Sequence, residues 1–386
     1  MSGPYNPSLL WAAMRRYLFL LLLVSSVAYA SAPPPPPIVG RAWVVADLSS
    51  GQALAAHNVD ERVEPASLTK IMTAYVVYGA LREKKLTLDQ QVTVSTRAWK
   101  APGSRMFIEP RKPVTVDELI HGMVVQSGND ACIALAEAIA GSEEVFVQMM
   151  NREAARLGMK NTNFTNATGL PHPQHYTTAQ DLLLLASALI RDFPAEYAKY
   201  NSQKEYRYNN ISQPNRNRLL WLDPTIDGVK TGHTESAGYC LIASSNRSGR
   251  RMLSVLLGST SESMRAQESQ KLLNWGFQFF DSVRLHAANE AVRPLEVWKG
   301  AGKDVKTGFR SDIVVTVPKG NAEKLKAELV TVQPLVAPVA AGQRVGTLRV
   351  SYDGKPVGEY PLVALESVAV AGFFGRTWDT LRLWLK

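Results

Sequence analysis

Glu64-Pro65-Ala66-Ser67-Leu68-Thr69-Lys70 is where this chain changes its hydrophobic period. Upstream of it, Ala42 to Asp47 and Gln52 to Ala56 flank Ser49-Ser50-Gly51 like the arms of a hairpin. From Ser67 onward the spacing turns helical, with Leu68, Met72 and Tyr75 on one face. Apolar helical stretches follow at Asp117 to Val125, Asp130 to Ala140, Ser142 to Leu157 and Thr178 to Ile190, the last opened by a Thr178/Asp181 capping pattern. Beyond Pro224 strands return at Val229 to Gly232, Tyr239 to Ser244 and Arg251 to Leu257, and a helix covers Glu262 to Phe280. Strands at both ends of a helical block predict an α/β (α+β) domain over residues 38–285, an antiparallel sheet flanked by helices and built from both ends.

From about His286 the pattern changes to short β-rich runs, Asp312 to Val317, Leu329 to Val332, Arg344 to Val350 and Val357 to Pro361, separated by Gly and Pro. This predicts a small C-terminal all-β domain over 286–366. The stretch 367–386 reads as a terminal amphipathic helix, with Phe374, Trp378, Leu381 and Leu385 on one side and Arg376, Asp379, Arg382 and Lys386 on the other. About fifteen residues make a helix of roughly 22 Å, short of a hydrocarbon core of about 30 Å, so its expected place is in the membrane interface. The β-rich domain would then be a pedestal that lifts the other domain away from the membrane.

At the other end, Arg15 and Arg16 precede the apolar run Tyr17 to Val24, and Ala28-Tyr29-Ala30 offers small residues for cleavage. Residues 1–30 are expected to be a secretory signal peptide. Residues 31–37, with five prolines from Pro33 to Pro37, form a stiff spacer behind it. The 386 residues carry a formal net charge of +9, with 46% hydrophobic and 20% charged side chains, which excludes wholesale disorder. A positive balance outside the cytoplasm favours an anionic membrane or a carboxylate-bearing polymer as partner and gives no reason to expect nucleic acid. Only Cys132 and Cys240 are present, so no disulfide scaffold or cysteine zinc site is readable, and whether the two pair stays open.

Three short motifs carry chemistry. Ser67-Leu68-Thr69-Lys70 places Lys70 one turn beyond Ser67 on the same helix face, near enough to take its proton. Ser127-Gly128-Asn129 falls in a break between two helices, where Gly128 is expected to permit the tight turn. Lys230-Thr231-Gly232 lies on a strand, where alternation separates Thr231 from Lys230 and Gly232. A lysine acts as a base only when neutral, and its ordinary pKa is about 10.4. Bringing it near 8 requires roughly 3 to 4 kcal/mol from burial and a second cation, for which Lys230 is the candidate.

Ser-x-x-Lys with Ser-x-Asn and Lys-Thr-Gly, in this order behind a signal segment, resembles the penicillin-binding proteins and class A β-lactamases. Glu64 to Lys70, Ser127 to Cys132, Asp227 to Thr234 and Lys271 to Phe277 are similar to the low-molecular-weight penicillin-binding proteins, the D-alanyl-D-alanine carboxypeptidases of Gram-negative periplasms. The resemblance spans essentially the whole mature chain. It implies a serine-type enzyme that removes the terminal D-alanine from peptidoglycan stem pentapeptides through a Ser67 acyl-enzyme, is inhibited by β-lactams, and works at the periplasmic face of the inner membrane. Lys70 would be the general base, Ser127 a proton relay, and Asn129 and Lys230 further members of the catalytic set. Thr231, Gly232, His233, Arg265 and Arg216 would bind substrate, the arginines through its terminal carboxylate. No metal or organic cofactor is implied, and a homodimer stays open. Two alternatives stand beside this reading. One is a β-lactamase-like hydrolase, although no Glu-x-x-Leu-Asn stretch lies between Asn129 and Lys230. The other is a wall-binding scaffold of low activity.

Overall fold

The computed structural model describes residues 32–384; the expected signal peptide lies outside the described residues, as do Leu385 and Lys386. Strands β1 (Ala42–Asp47) and β2 (Gln52–His57) form the expected hairpin. After the helical block come β3 (Ile226–Thr234), β4 (Gly238–Arg247) and β5 (Arg250–Ser259). The sheet order is β2-β1-β5-β4-β3, antiparallel throughout, and the two chain segments join where Val44 pairs with Val255. Every residue of β1 is buried because both sheet faces are covered. Helices α1 (Lys70–Arg82), α2 (Val116–Val124), α3 (Asn129–Ala140), α4 (Glu143–Arg156) and α5 (Ala179–Asp192) share the larger apolar core with one face, and α6 (Glu262–Phe279) packs against the other. Fully buried Leu68, Met72 and Tyr78 anchor α1, each worth about 1.5–3 kcal/mol of apolar burial.

Side-chain caps fix where these helices begin. Thr115 and Glu118 form a reciprocal capping box before α2, and Ser142, Thr178 and Ser261 accept the third backbone N–H of α4, α5 and α6. Ser67 differs from expectation. It sits in a single 3-10 turn, Ala66–Thr69, and the α-helix starts only at Lys70.

The β-rich segment opens on β6 (Phe280–His286), directly after α6, so pairing begins several residues before the expected boundary at 286. β6 pairs with β9 (Ile313–Pro318), while β7 (Arg293–Trp298), β8 (Asp304–Gly308), β10 (Leu325–Thr331), β11 (Leu335–Val336), β12 (Arg344–Tyr352) and β13 (Lys355–Ala364) form a sheet in the order β10-β12-β13-β8-β7-β11. Its own apolar core, with Val305, Val315, Val345 and Leu362 buried, sits between these layers. The last element, α7 (Phe373–Trp384), keeps Phe373 and Trp378 more than 60% exposed. Its polar side is held by the β-rich segment: Asp379 Oδ2 accepts from Lys299 N at 2.7 Å and the Arg382 guanidinium lies 5.3 Å from the Trp298 ring centre. Among the described residues no helix is long and apolar enough to cross a membrane.

The β1–β2 turn ties the five-stranded sheet to β6 and β9. Asp47 is fully buried and accepts from Arg250 Nε at 3.0 Å, Thr316 Oγ1 at 3.0 Å, Ser49 N at 2.9 Å and the Ser282 hydroxyl. Gln52 adds a bond from Thr316 N to its Oε1 at 2.6 Å. Truncating the carboxylate leaves the largely buried Arg250 without its counter-ion. Asp47→Ala is therefore expected to cost about 3–5 kcal/mol, read as a lower urea midpoint, with the far-UV circular dichroism of the native fraction unchanged.

Candidate active site

Ser67, Ser127, Arg216, Thr231, Gly232, His233 and Arg265 line one cleft of about 280 Å³. The remaining sequence candidates, Lys70, Asn129 and Lys230, are buried behind it. All ten therefore meet at one place, where the 3-10 turn before α1, the α2–α3 break and strand β3 converge. Gly232 is what lets β3 run close to that turn, since a Cβ there would lie 3.1 Å from Pro65 O and 3.2 Å from Leu68 Cγ.

Lys70 is 2% exposed, and its ammonium donates to Ser67 Oγ at 2.9 Å, Asn129 Oδ1 at 2.7 Å and Thr168 O at 2.5 Å. Asn129 Nδ2 donates to Pro102 O at 2.7 Å, which fixes the amide so that its oxygen faces Lys70. Thr168 O and Asn129 Oδ1 can only accept, whereas the Ser67 hydroxyl can also donate. When Lys70 loses a proton, its two remaining N–H bonds stay with those two acceptors and its lone pair faces Ser67. Burial pushes the Lys70 ammonium down to about 8, opposed by Cys132 and Asp130 and helped by the Arg216 guanidinium. Lys230 is held well below its ordinary range, chiefly by burial, then by Lys70 and Arg216. Burial leads in lowering Lys70, as expected; Lys70 and Lys230, which share one void, each disfavour the other's charge, and the Arg216 guanidinium adds a cation that the sequence reading did not name for this role.

Strand alternation holds at Lys-Thr-Gly. Thr231 and His233 face the cleft, while Lys230 turns inward, shares a small void with Lys70 and donates to Thr231 O at 3.0 Å. The tight turn at Ser127-Gly128 differs from expectation. The left-handed residue is Ser127, at φ 66°, and Gly128 is extended. Glycine is needed at 128 for space, because a Cβ would sit 2.8 Å from Asp130 Oδ1 and 3.1 Å from Met106 N. The turn leaves Ser127 Oγ buried with no hydrogen-bond partner among the described residues, at the cleft wall. A buried hydroxyl without a partner costs about 1–3 kcal/mol and is ready for a ligand to satisfy.

Arg265 is 4% exposed; its guanidinium donates to Gly232 O at 3.3 Å and pairs with Glu262 at 3.1 Å, and it lies 5.5 Å from the Tyr239 ring centre. Arg216 is exposed in the cleft, and its carbonyl accepts from Arg265 at 3.4 Å. Sequence reasoning missed Ser104, Tyr239 and Glu262, which line the same cleft. Only Glu262 had a local signal, as an acid one helical turn before Arg265. It also missed Asp130, whose buried carboxylate accepts from the backbone N–H of Met106, Phe107 and Ile108 at 2.8–3.2 Å and so holds the loop carrying Ser104. Cys132 and Cys240 are free and buried, which answers the pairing question; burial pushes the two thiols up to about 12 and about 11.

The fold and cleft define a serine acyl-transfer enzyme, and comparison with known proteins narrows the class. Residues 28–261 match the D-alanyl-D-alanine carboxypeptidase family and residues 280–370 match the family described as penicillin-binding protein 5, C-terminal domain. The chain is 45% identical over 347 residues to D-alanyl-D-alanine carboxypeptidase DacC of Escherichia coli, covering 88% of this chain and 86% of that one. It is 40% identical over 354 residues to DacA of the same organism, covering 90% and 88%. The crystal structure of penicillin binding protein 5 from Haemophilus influenzae superposes with a TM-score of 0.82 at 40% identity, covering 87% of this chain and 99% of that one. The chain belongs to the D-alanyl-D-alanine carboxypeptidase family.

One buried histidine props the site from behind. His175 is 2% exposed; its Nδ1 accepts from Thr165 N at 3.1 Å, so its Nε2–H donates to Thr69 Oγ1 at 2.8 Å, beside Lys70. Burial, assisted by His172 and Lys70, lowers its pKa from 6.5 to about 4. The folded state therefore resists a proton that the unfolded chain accepts below 6.5, and stability is lost as pH falls from 6.5 towards 4, by roughly 3 kcal/mol in all. His175→Gln is expected to be less stable at pH 7 but to show a flatter decline between pH 6.5 and 4, measured by thermal melts across that range.

Proposed function

We propose that this D-Ala-D-Ala carboxypeptidase uses Ser67 as nucleophile and Lys70 as general base on the terminal D-alanine of peptidoglycan stem pentapeptides. Ser67 Oγ attacks the carbonyl carbon of the penultimate D-alanine as its proton passes to Lys70. The negative charge then developing on the carbonyl oxygen meets the backbone N–H groups of Ser67 and His233. Collapse breaks the C–N bond, Ser127 relays a proton to the departing D-alanine amine, and water later cleaves the Ser67 ester. Asn129 holds Lys70 in register, and Lys230, buried beside Lys70, closes the site behind the cleft. Arg265, with Thr231 and Arg216, receives the substrate's terminal carboxylate. A guanidinium fork matches that group in charge and shape, and only a substrate ending at this position can supply it. The observation that carries this reading is the Ser67–Lys70–Asn129 chain of hydrogen bonds, with Lys70 lowered to about 8, opening onto a cleft that ends at Arg265.

β-Lactams would acylate the same serine, and a carboxypeptidase should hold that ester long enough to be isolated. The chain would work outside the cytoplasm, exported by its N-terminal segment, with the β-rich domain as pedestal and α7 lying in the membrane interface. The exposed Phe373 and Trp378 support that placement, since the polar side of α7 is already engaged by Lys299 and Trp298.

D-Alanine release from a pentapeptide ending in D-Ala-D-Ala tests the activity. The wild type should release it and Ser67→Ala should not; release by both would remove Ser67 as nucleophile. Arg265→Ala should lower kcat/KM about 100-fold, the loss expected for a charge-assisted contact of about 2–3 kcal/mol. An unchanged kcat/KM would assign the carboxylate elsewhere.

A further inference from the structure

A second cleft, of about 580 Å³, lies at the opposite end of α1 from Lys70, between the last turn of α1, the C-terminal half of α4 and the Asp192–Phe193 corner that ends α5. Its carboxylates are all taken. Glu83 pairs with Lys85 at 2.6 Å, Glu153 with Arg156 at 2.7 Å, and Asp192 with Arg191 at 2.8 Å while also accepting from Tyr75 at 2.6 Å. Arg156 is committed a second time, donating to the Tyr75 hydroxyl at 2.6 Å. Two guanidiniums are left over: among the described residues, neither Arg82 nor Arg152 makes an ion pair. Arg82 is stacked on the buried Phe193 ring, 4.7 Å from its centre, which fixes its plane and leaves its N–H edge available for a planar oxyanion. The cleft volume falls in the usual range for ligand sites.

We infer that this cleft is an accessory binding site for carboxylate-bearing peptides of the wall polymer, with Arg82 and Arg152 as the recognising pair. The inference rests on the reading of the chain as a peptidoglycan enzyme. The twelve steps from Lys70 to Arg82 make about 18 Å of helix, so an occupant of this cleft and a stem peptide at Ser67 would be separate segments of one polymer. A second contact on a linked substrate raises its effective concentration at Ser67 without changing the chemistry there.

The test uses the mature chain with Ser67 blocked by benzylpenicillin, pelleted with purified peptidoglycan in detergent at low salt. Acylated wild type should still co-sediment and be released by high salt, while R82A/R152A should bind at least tenfold more weakly. The double variant should release D-alanine from a soluble pentapeptide within twofold of wild type, which shows that it is folded. Amidating the polymer's carboxylates should abolish wild-type binding. Equal binding of the double variant, no binding of acylated wild type, or full binding to the amidated polymer would each overturn the inference. Failure of wild type to hydrolyse the soluble pentapeptide would instead overturn the functional reading on which it rests.

Discussion

The structure depends on keeping one ammonium group almost wholly out of water. Lys70 is 2% exposed, and only the three oxygens around Nζ make that burial tolerable. A lysine buried without such partners would cost several kcal/mol, and one left in solvent would keep its ordinary pKa and be useless as a base near neutrality. Burial therefore does two jobs here: it lowers the proton affinity of Lys70, and the partners that permit it aim the resulting lone pair at Ser67.

Each partner is delivered by a different part of the chain, so the fold is committed to this point. The 3-10 turn before α1 supplies Ser67, the α2–α3 break supplies Asn129, and the loop at 165–170 supplies Thr168 O. That loop is fixed in turn by Asn166 Oδ1, which accepts from the backbone N–H of Thr168, Gly169 and Leu170, and by His175. Asn129 N donates to Ser104 O at 2.7 Å and Asp130 holds the next residues, so the far wall of the cleft hangs from the same helix start. The strand carrying Lys230 and Thr231 closes the site against the turn through the space left by Gly232.

Much of this was legible before any coordinates. The shift from period two to period 3.6 at Ser67 placed the hairpin and α1, and strand alternation separated Thr231 from Lys230, though not which of the two faces the cleft. Motif order singled out Ser67, Lys70, Ser127, Asn129, Lys230, Thr231 and Gly232, because the chemistry needs specific side chains at set spacings, and the family resemblance added His233, Arg265 and Arg216; the fold brings the ten together. The remainder was hidden for physical reasons. Thr168 contributes a backbone carbonyl, which any residue could offer. Asp130 acts by gathering N–H groups from a loop distant in sequence. Ser127, not Gly128, takes the left-handed conformation, since Gly128 has to fit beneath Met106 and beside Asp130. Arg216 also helps to lower Lys70, through a proximity that comes from tertiary packing and not from spacing along a helix or strand.

Lys70 holds its proton loosely enough to give it up near pH 8 and so serve as the base for Ser67. Titrating Lys70 by NMR in protein carrying ¹³C-labelled lysine, with Lys70→Arg used to assign the resonance, tests it directly. A midpoint near 8 is the result this structure predicts. A midpoint near the ordinary lysine value of about 10.4 would contradict it, because the three acceptors would then stabilise the ammonium as much as burial disfavours it, and Ser67 would need another base.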